Sequence, residues 1–391
     1  MRNSVRIAFY ILSATLTIGA LEIGSLLALN YLKSVDSTKE LIYQPPEIDG
    51  NEYARYLNRR DPVLGWPAPS DHGGNKYDIS GSRHIPAFPD PGGECVTLYG
   101  DSFTYSADVG HVDAWSNALS RILGCRVANF GVAGYGTDQA YLRFEMNGAD
   151  VAPVSIMGFY PYDAARNLNQ YRHLITGTAP LGFKPRFVLD NGEATLSPMP
   201  LVERDNWEAF QEAPGRFLRH ETFLPDTPLG PARVKFPYSL SLLRAAWDER
   251  LFNVLRRRPS WSHFLERGHY SQGCKVAAAI FKKFDRLCRA RDKQCFVVLF
   301  PTTSSYDYYV RTGEDSARDL IDMMEAQGID YLNLTPELTR ALGERSYCEI
   351  LTDSENCFGH HNPEGDAMVA RLVHEHLLRR GLIPADAPES D

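Results

Sequence analysis

The chain opens with an almost unbroken apolar stretch, Ile7 to Leu32, and only from about residue 94 alternates short apolar runs with amphipathic segments. At about 1.5 Å rise per residue the first stretch can cross a bilayer. Glu22 interrupts it, and a carboxylate at the bilayer centre costs roughly a few kcal/mol. Arg2 and Arg6 precede it, as in a secretory leader, but the run exceeds the usual leader core and no small-x-small cleavage site follows. An uncleaved transmembrane anchor over 1–33 is therefore expected. The positive-inside rule leaves the arginine-bearing N-terminus in the cytoplasm and everything beyond Leu32 outside. Residues 34–92, rich in Pro, Gly, Asp and Asn, predict a linker and an irregular layer, with Asp61-Pro62-Val63-Leu64-Gly65-Trp66 packed on the body.

From Glu94 the pattern alternates β and α. Val96–Tyr99, Arg126–Phe130, Val154–Phe159, Cys295–Phe300 and Tyr331–Leu334 read as strands. Val112–Leu123 places Trp115, Leu119 and Ile122 on one helical face and stops at Gly124. Asp138–Met146, Asp315–Gln327 and a last helix from Pro363-Glu364 to about Arg380 complete the helical set. Continuous apolar strands separated by helices demand a parallel sheet covered on both faces. The expected fold is α/β: a three-layer α/β/α flavodoxin-like sandwich, preceded by the transmembrane helix. An insertion at about 168–274 contains a hairpin turned at Asn191-Gly192 and a helix around Leu240–Arg256, and predicts a lid or side wall. Residues 93–391 then form one domain with that insertion.

Composition narrows the function. With 41 Lys and Arg against 49 Asp and Glu the net charge is −8, and no basic stripe exists beyond Arg256-Arg257-Arg258, which excludes a nucleic-acid partner. Seven cysteines without a Cys-x-x-Cys pair disfavour a zinc ribbon, and neither metal nor cofactor is expected. Cys348 and Cys357 flank a loop of a size that a bridge could close; Cys95 and Cys125 are expected as buried thiols.

Three segments carry the candidate chemistry. Gly100-Asp101-Ser102-Phe103 follows the first strand, so Ser102 lies at a strand's carboxyl end beside a helix N-terminus, where free N–H groups receive negative charge. Asp101 fits a local cap rather than a catalytic acid. Asn129-Phe130-Gly131-Val132-Ala133-Gly134-Tyr135-Gly136 follows the second strand, with the Gly134 N–H available to an oxyanion. Gly359-His360-His361-Asn362-Pro363-Glu364-Gly365 precedes the last helix and offers a general base. No Gly-x-Gly-x-x-Gly follows the first strand, which argues against a dinucleotide site.

In this order the three segments resemble the SGNH (GDSL-type) hydrolase superfamily, over about Glu94 to Gly381 apart from the insertion. The anchor and the Asp-x-x-Leu-Gly-Trp segment resemble a bacterial, membrane-anchored subgroup tied to cell-envelope chemistry. The resemblance implies Ser102 as nucleophile, His360 as base, and the Ser102 and Gly134 N–H groups as oxyanion hole. It also implies an acylated glycan or other ester as substrate, with the domain on the periplasmic side of the inner membrane. Two positions depart from the family pattern. Tyr162 stands where an Asn donor is expected, leaving Tyr162 or Asn167 as candidate third donors. Phe358 and Cys357 stand where an Asp would orient the histidine, leaving Asp353 or Glu355 for that role. The expected activity is a serine esterase removing O-acyl, chiefly acetyl, groups. An O-acyltransferase, or a glycan-binding protein that has lost the chemistry, is the alternative.

Overall fold

A computed structural model describes residues 2–35, 38–65, 76–176 and 182–383, with the side chains of 2–4 excepted. Trp66 lies outside these residues.

Five parallel strands form the central sheet: β1 (Glu94–Tyr99), β2 (Arg126–Asn129), β3 (Val154–Phe159), β4 (Gln294–Leu299) and β5 (Tyr331–Asn333). Their order is β2-β1-β3-β4-β5, the flavodoxin-like order, with a switch point at β1 and β3. Successive side chains point to opposite faces, and both faces are dry. Tyr99, Met157, Phe159, Val297 and Leu299 face one core. Val96, Leu98, Ile156, Phe296 and Val298 face the other. Helices α3 (Thr137–Met146), α4 (Gly273–Ala290) and α5 (Arg318–Ala326) cover the first face; α2 (Trp115–Leu123), α6 (Leu334–Leu342) and α7 (Pro363–Arg379) cover the second, completing the three layers. Helix α1 (Arg2–Ser34) precedes them.

The strands fall within a residue or so of their expected places, because a strand buried on both faces must be an uninterrupted apolar run. Two expectations change. The segment around Leu240–Arg256 is two helices, Tyr238–Ala246 and Glu249–Leu255, because the Asp248 carboxylate accepts from the Arg250 N–H and starts a new helix. Cys95 and Cys125 are not free thiols. Cys95 is the second residue of β1 and Cys125 directly precedes the adjacent β2, so parallel pairing brings them together in a disulfide. Cys288–Cys295 and Cys348–Cys357 are also bridged, leaving buried Cys274 free.

The stretch before the sheet is not merely irregular. A helix spans Gly50–Arg59, and its Tyr53 stacks on Trp207 of the insertion at 4.1 Å between ring centroids. Asp61 accepts from the Val63 and Leu64 N–H groups, and Leu64 is buried. The insertion holds the hairpin Arg186–Asp190/Glu193–Ser197, turned at Asn191 and Gly192 with both φ positive. This hairpin packs against α3 and α4, forming a side wall on that face.

Candidate active site

β1 ends at Tyr99, and the chain turns into a single helical turn, Ser102–Tyr105. The Asp101 side chain caps it by accepting from the Phe103 N–H at 2.9 Å. Ser102 thus occupies the first helical position, whose N–H has no intrahelical acceptor. The loop after β2 lies alongside: the Val132 N–H donates to the Gly100 carbonyl at 3.0 Å, and Gly134 adopts φ +83°, a conformation natural to glycine. Among the described residues neither the Ser102 nor the Gly134 N–H is taken up by a protein acceptor.

The histidine arrives from the far end of the chain. Leu351–Asp353 and Phe358–His361 form a short antiparallel hairpin, and Cys348–Cys357 ties the end of its turn to the helical turn Tyr347–Ile350 ahead of its first strand. It delivers His360 so that Nε2 lies 2.8 Å from Ser102 Oγ. The Phe103 ring packs against the imidazole at 4.7 Å between centroids, while its other contacts include Tyr160 stacked at 4.4 Å.

Neither Asp353 nor Glu355 orients this histidine. The Asp353 carboxylate is occupied by the Asn356 N–H and side chain, and Glu355 is exposed on the hairpin turn. The role falls to Asp108, six residues after the serine. Its Oδ2 lies 2.9 Å from His360 Nδ1, an ion-pair contact somewhat off the N–H direction, and it accepts from the His360 N–H and the Thr352 hydroxyl, each at 3.1 Å. Burial opposes the Asp108 charge, but these hydrogen bonds and the imidazole hold its carboxyl below the usual carboxylate range. Gly359 permits the approach: a Cβ there would meet Thr352 Oγ1 at 2.2 Å.

The loop that carries Asp108 is held by Arg83, from the layer that promised no chemistry. Buried Arg83 donates to the carbonyls of Tyr105, Ser106 (2.7 Å) and Val109 (2.7 Å), and its guanidinium lies over the Tyr105 ring. No local sequence signal marks this clamp; an arginine in a Gly- and Ser-rich segment is its only trace.

The candidate third oxyanion donors are both committed elsewhere. The Tyr162 hydroxyl donates to the Ile175 carbonyl at 3.0 Å and contacts Glu40, and burial raises its phenol far above the ordinary range. The Asn167 amide accepts from the Asp138 N–H and donates to Thr137, both at the start of α3. Beneath the site stands Arg166 instead. One of its nitrogens reaches Asp101 Oδ2 (3.0 Å), Asp163 Oδ1 (2.9 Å) and the Tyr135 carbonyl (3.0 Å). A single guanidinium therefore joins the residue before Ser102 to the residue after Gly134. Burial, then the Asp101 charge, drives the Asp163 carboxyl well above its usual range against the pull of Arg166. Burial opposes the Arg166 charge, yet the two carboxylates carry its pKa up.

No family model matches the chain, and no curated protein matches it. Among solved structures it is similar to a catalytic mutant of an acetylxylan esterase from Geobacillus stearothermophilus: TM-score 0.37, 10% identity, 74% of this chain and 95% of that one. A second acetyl xylan esterase gives TM-score 0.35 at 10% identity, over 72% of this chain and 98% of that one. A protein from Desulfitobacterium hafniense, described as lipolytic and of the G-D-S-L family, gives 0.31 at 12% identity, over 72% and 97%. Likenesses this distant carry no argument about activity, which rests on the geometry above.

Proposed function

We propose that the chain is an SGNH-type serine ester hydrolase, and that it removes O-acyl groups, chiefly acetyl, from a cell-envelope glycan. One observation carries this reading: Ser102 Oγ within hydrogen-bond distance of His360 Nε2, with the Asp108 carboxylate 2.9 Å from Nδ1, beside two unengaged N–H groups. Ser102 Oγ attacks the ester carbonyl carbon while its proton passes to His360 Nε2. The oxyanion that forms is held by the Ser102 and Gly134 N–H groups. Collapse breaks the bond to the alcohol, which leaves with the proton from His360, and the acyl group stays on Ser102. Water then attacks this acyl-enzyme and gives a proton to His360; collapse breaks the bond from the acyl carbon to Ser102 Oγ, which takes that proton back, and the carboxylic acid leaves. Asp108 keeps Nδ1 protonated, so that Nε2 faces the serine as acceptor, and it stabilises the imidazolium.

The choice of acetyl and of a glycan rests on the motif resemblance. Anchorage by α1, with the domain on the periplasmic side, is part of the same proposal. It is supported by the span from Val5 to Ser34, with an 18-residue stretch of mean hydropathy 1.7, and by three disulfides, which persist in oxidising compartments. Turnover of p-nitrophenyl acetate and of acetylated oligosaccharides tests the reading. The wild type is expected to release acetate and Ser102→Ala is not; equal turnover in both rejects it.

A further inference from the structure

Helix α1 has two unlike halves. From Val5 to Ile18 every residue is exposed. From Glu22 onward a stripe turns inward: Ser25 and Leu29 are buried and Leu32 partly so, against Ile42, Ala232, Ala245, Tyr238 and Leu242. The free half up to Leu21 is about 17 residues, roughly 25 Å, the least that spans a hydrocarbon core. At the junction, Glu22 accepts from the Tyr238 and Ser239 N–H groups and the Ser239 hydroxyl, which begin the helix Tyr238–Ala246. That helix is thereby fixed at the height where α1 leaves the body.

Beside this junction the insertion exposes large apolar side chains, next to Lys235 and Arg244, which are both paired with Asp226. Phe236, Leu240, Leu243 and Trp247 are between 52% and 71% exposed, and Val254 and Leu255 continue the patch on the next helix. The first four, with Phe252 and Tyr270, line an open groove of about 840 Å³. A soluble surface seldom leaves so many large apolar side chains together in water. Directly after Leu255 come Arg256 and Arg257, exposed and, among the described residues, without a carboxylate partner. An aromatic and aliphatic face edged by arginine suits the boundary between acyl chains and anionic headgroups.

We propose that the helices Tyr238–Ala246 and Glu249–Leu255 form a second membrane contact, a lipid-docking edge lying in the interface of the bilayer that α1 spans. Lipid is favoured over a protein partner because the helix that carries the patch is hydrogen-bonded through its first residues to Glu22, where the exposed half of α1 ends. The inference takes its height from the anchor reading, and the test separates the two.

The full chain is reconstituted in phosphatidylcholine vesicles containing phosphatidylglycerol, with bromine on the acyl chains, and tryptophan emission is followed. Wild type is expected to show lipid quenching that falls by at least half in Trp247→Phe; equal quenching in the two overturns the proposal. Leu240→Glu with Leu243→Glu, both exposed and hence compatible with folding, is expected to abolish the same quenching while p-nitrophenyl acetate turnover stays unchanged. Quenching that survives the double substitution also overturns it. An alkaline carbonate wash reads the anchor alone. A chain that resists the wash but shows no Trp247-dependent quenching defeats the docking edge, whereas release after such quenching defeats only the anchor.

Discussion

Ser102 and His360 each have a polar neighbour in sequence, Asp101 and His361, that goes to a different tier of the structure. The upper tier is partly open: His360 is about a quarter exposed and Asp108 more so. The lower tier is dry. Asp101 and Asp163 close on Arg166, and His361 is buried with Nε2 3.0 Å from the Tyr347 hydroxyl and Nδ1 3.8 Å from Asp366. Along an extended strand consecutive side chains face opposite ways, so Phe358–His361 sends one imidazole to the serine and the next into the core. The difference teaches that two histidines side by side in sequence carry opposite duties. One group must move protons; the other must stay fixed so that the first is aimed.

Substitutions that break the upper tier should abolish chemistry and spare the fold. Ser102→Ala and His360→Gln are expected to lower kcat/KM by about 10²- to 10⁴-fold or more, with thermal unfolding within a degree or two of wild type. Breaking the lower tier should do the reverse. Arg166→Gln leaves buried carboxylate charge uncompensated and is expected to cost about 3–5 kcal/mol in urea unfolding. Asp108→Asn lies between these in size. It should lower kcat on the order of 10²-fold through loss of the correct tautomer, while Asp353→Asn leaves kcat unchanged. His361→Gln loses the Tyr347 partner and should cost about 1–3 kcal/mol of stability with kcat nearly unaltered.

The lower tier also sharpens the contrast through pH. Burial, helped by His360, pushes the His361 imidazole down to about 3, and burial pushes the Asp366 carboxyl up to about 7. Between about pH 4 and 6.5 the folded pair holds one proton, on Asp366, and the unfolded pair also holds one, on the histidine. Their contributions to the pH dependence cancel there. Asp366→Asn leaves His361 alone, and below pH 6.5 the unfolded state then binds the extra proton. Stability of the variant relative to wild type should fall as pH drops from 6.5 towards 4, by up to about 1.4 kcal/mol per unit in urea titrations.

Much of this arrangement is written in local sequence. Five apolar runs mark the five strands, Gly124 and Pro363 bound helices where their backbone chemistry requires, and the glycine-rich turns after β1 and β2 place Ser102 and Gly134 at strand carboxyl ends. The acid of the relay is not legible in that way. Asp108 becomes the partner of His360 only because Arg83 grips the carbonyls on either side of it and the hairpin closes at Cys348–Cys357. The grip spans 23 to 26 residues and the Asp108–His360 contact 252, separations invisible to periodicity. Tyr162 misleads for a similar reason: its place where the family pattern has an Asn donor suggests the site, while its hydroxyl is drawn to the Ile175 carbonyl and Glu40. The helix expected around Leu240–Arg256 does not reveal its exposed apolar face either, since a sequence does not say which side meets solvent or lipid.

The activation of one serine by one histidine is tested most directly by the rate of fluorophosphonate labelling, with the modified peptide located by mass spectrometry. The geometry predicts a single adduct on Ser102 in the wild type, no adduct in Ser102→Ala, and labelling slowed by about 10²-fold or more in His360→Gln but not in His361→Gln. Labelling that is absent in the wild type, or equally fast without His360, would contradict the account.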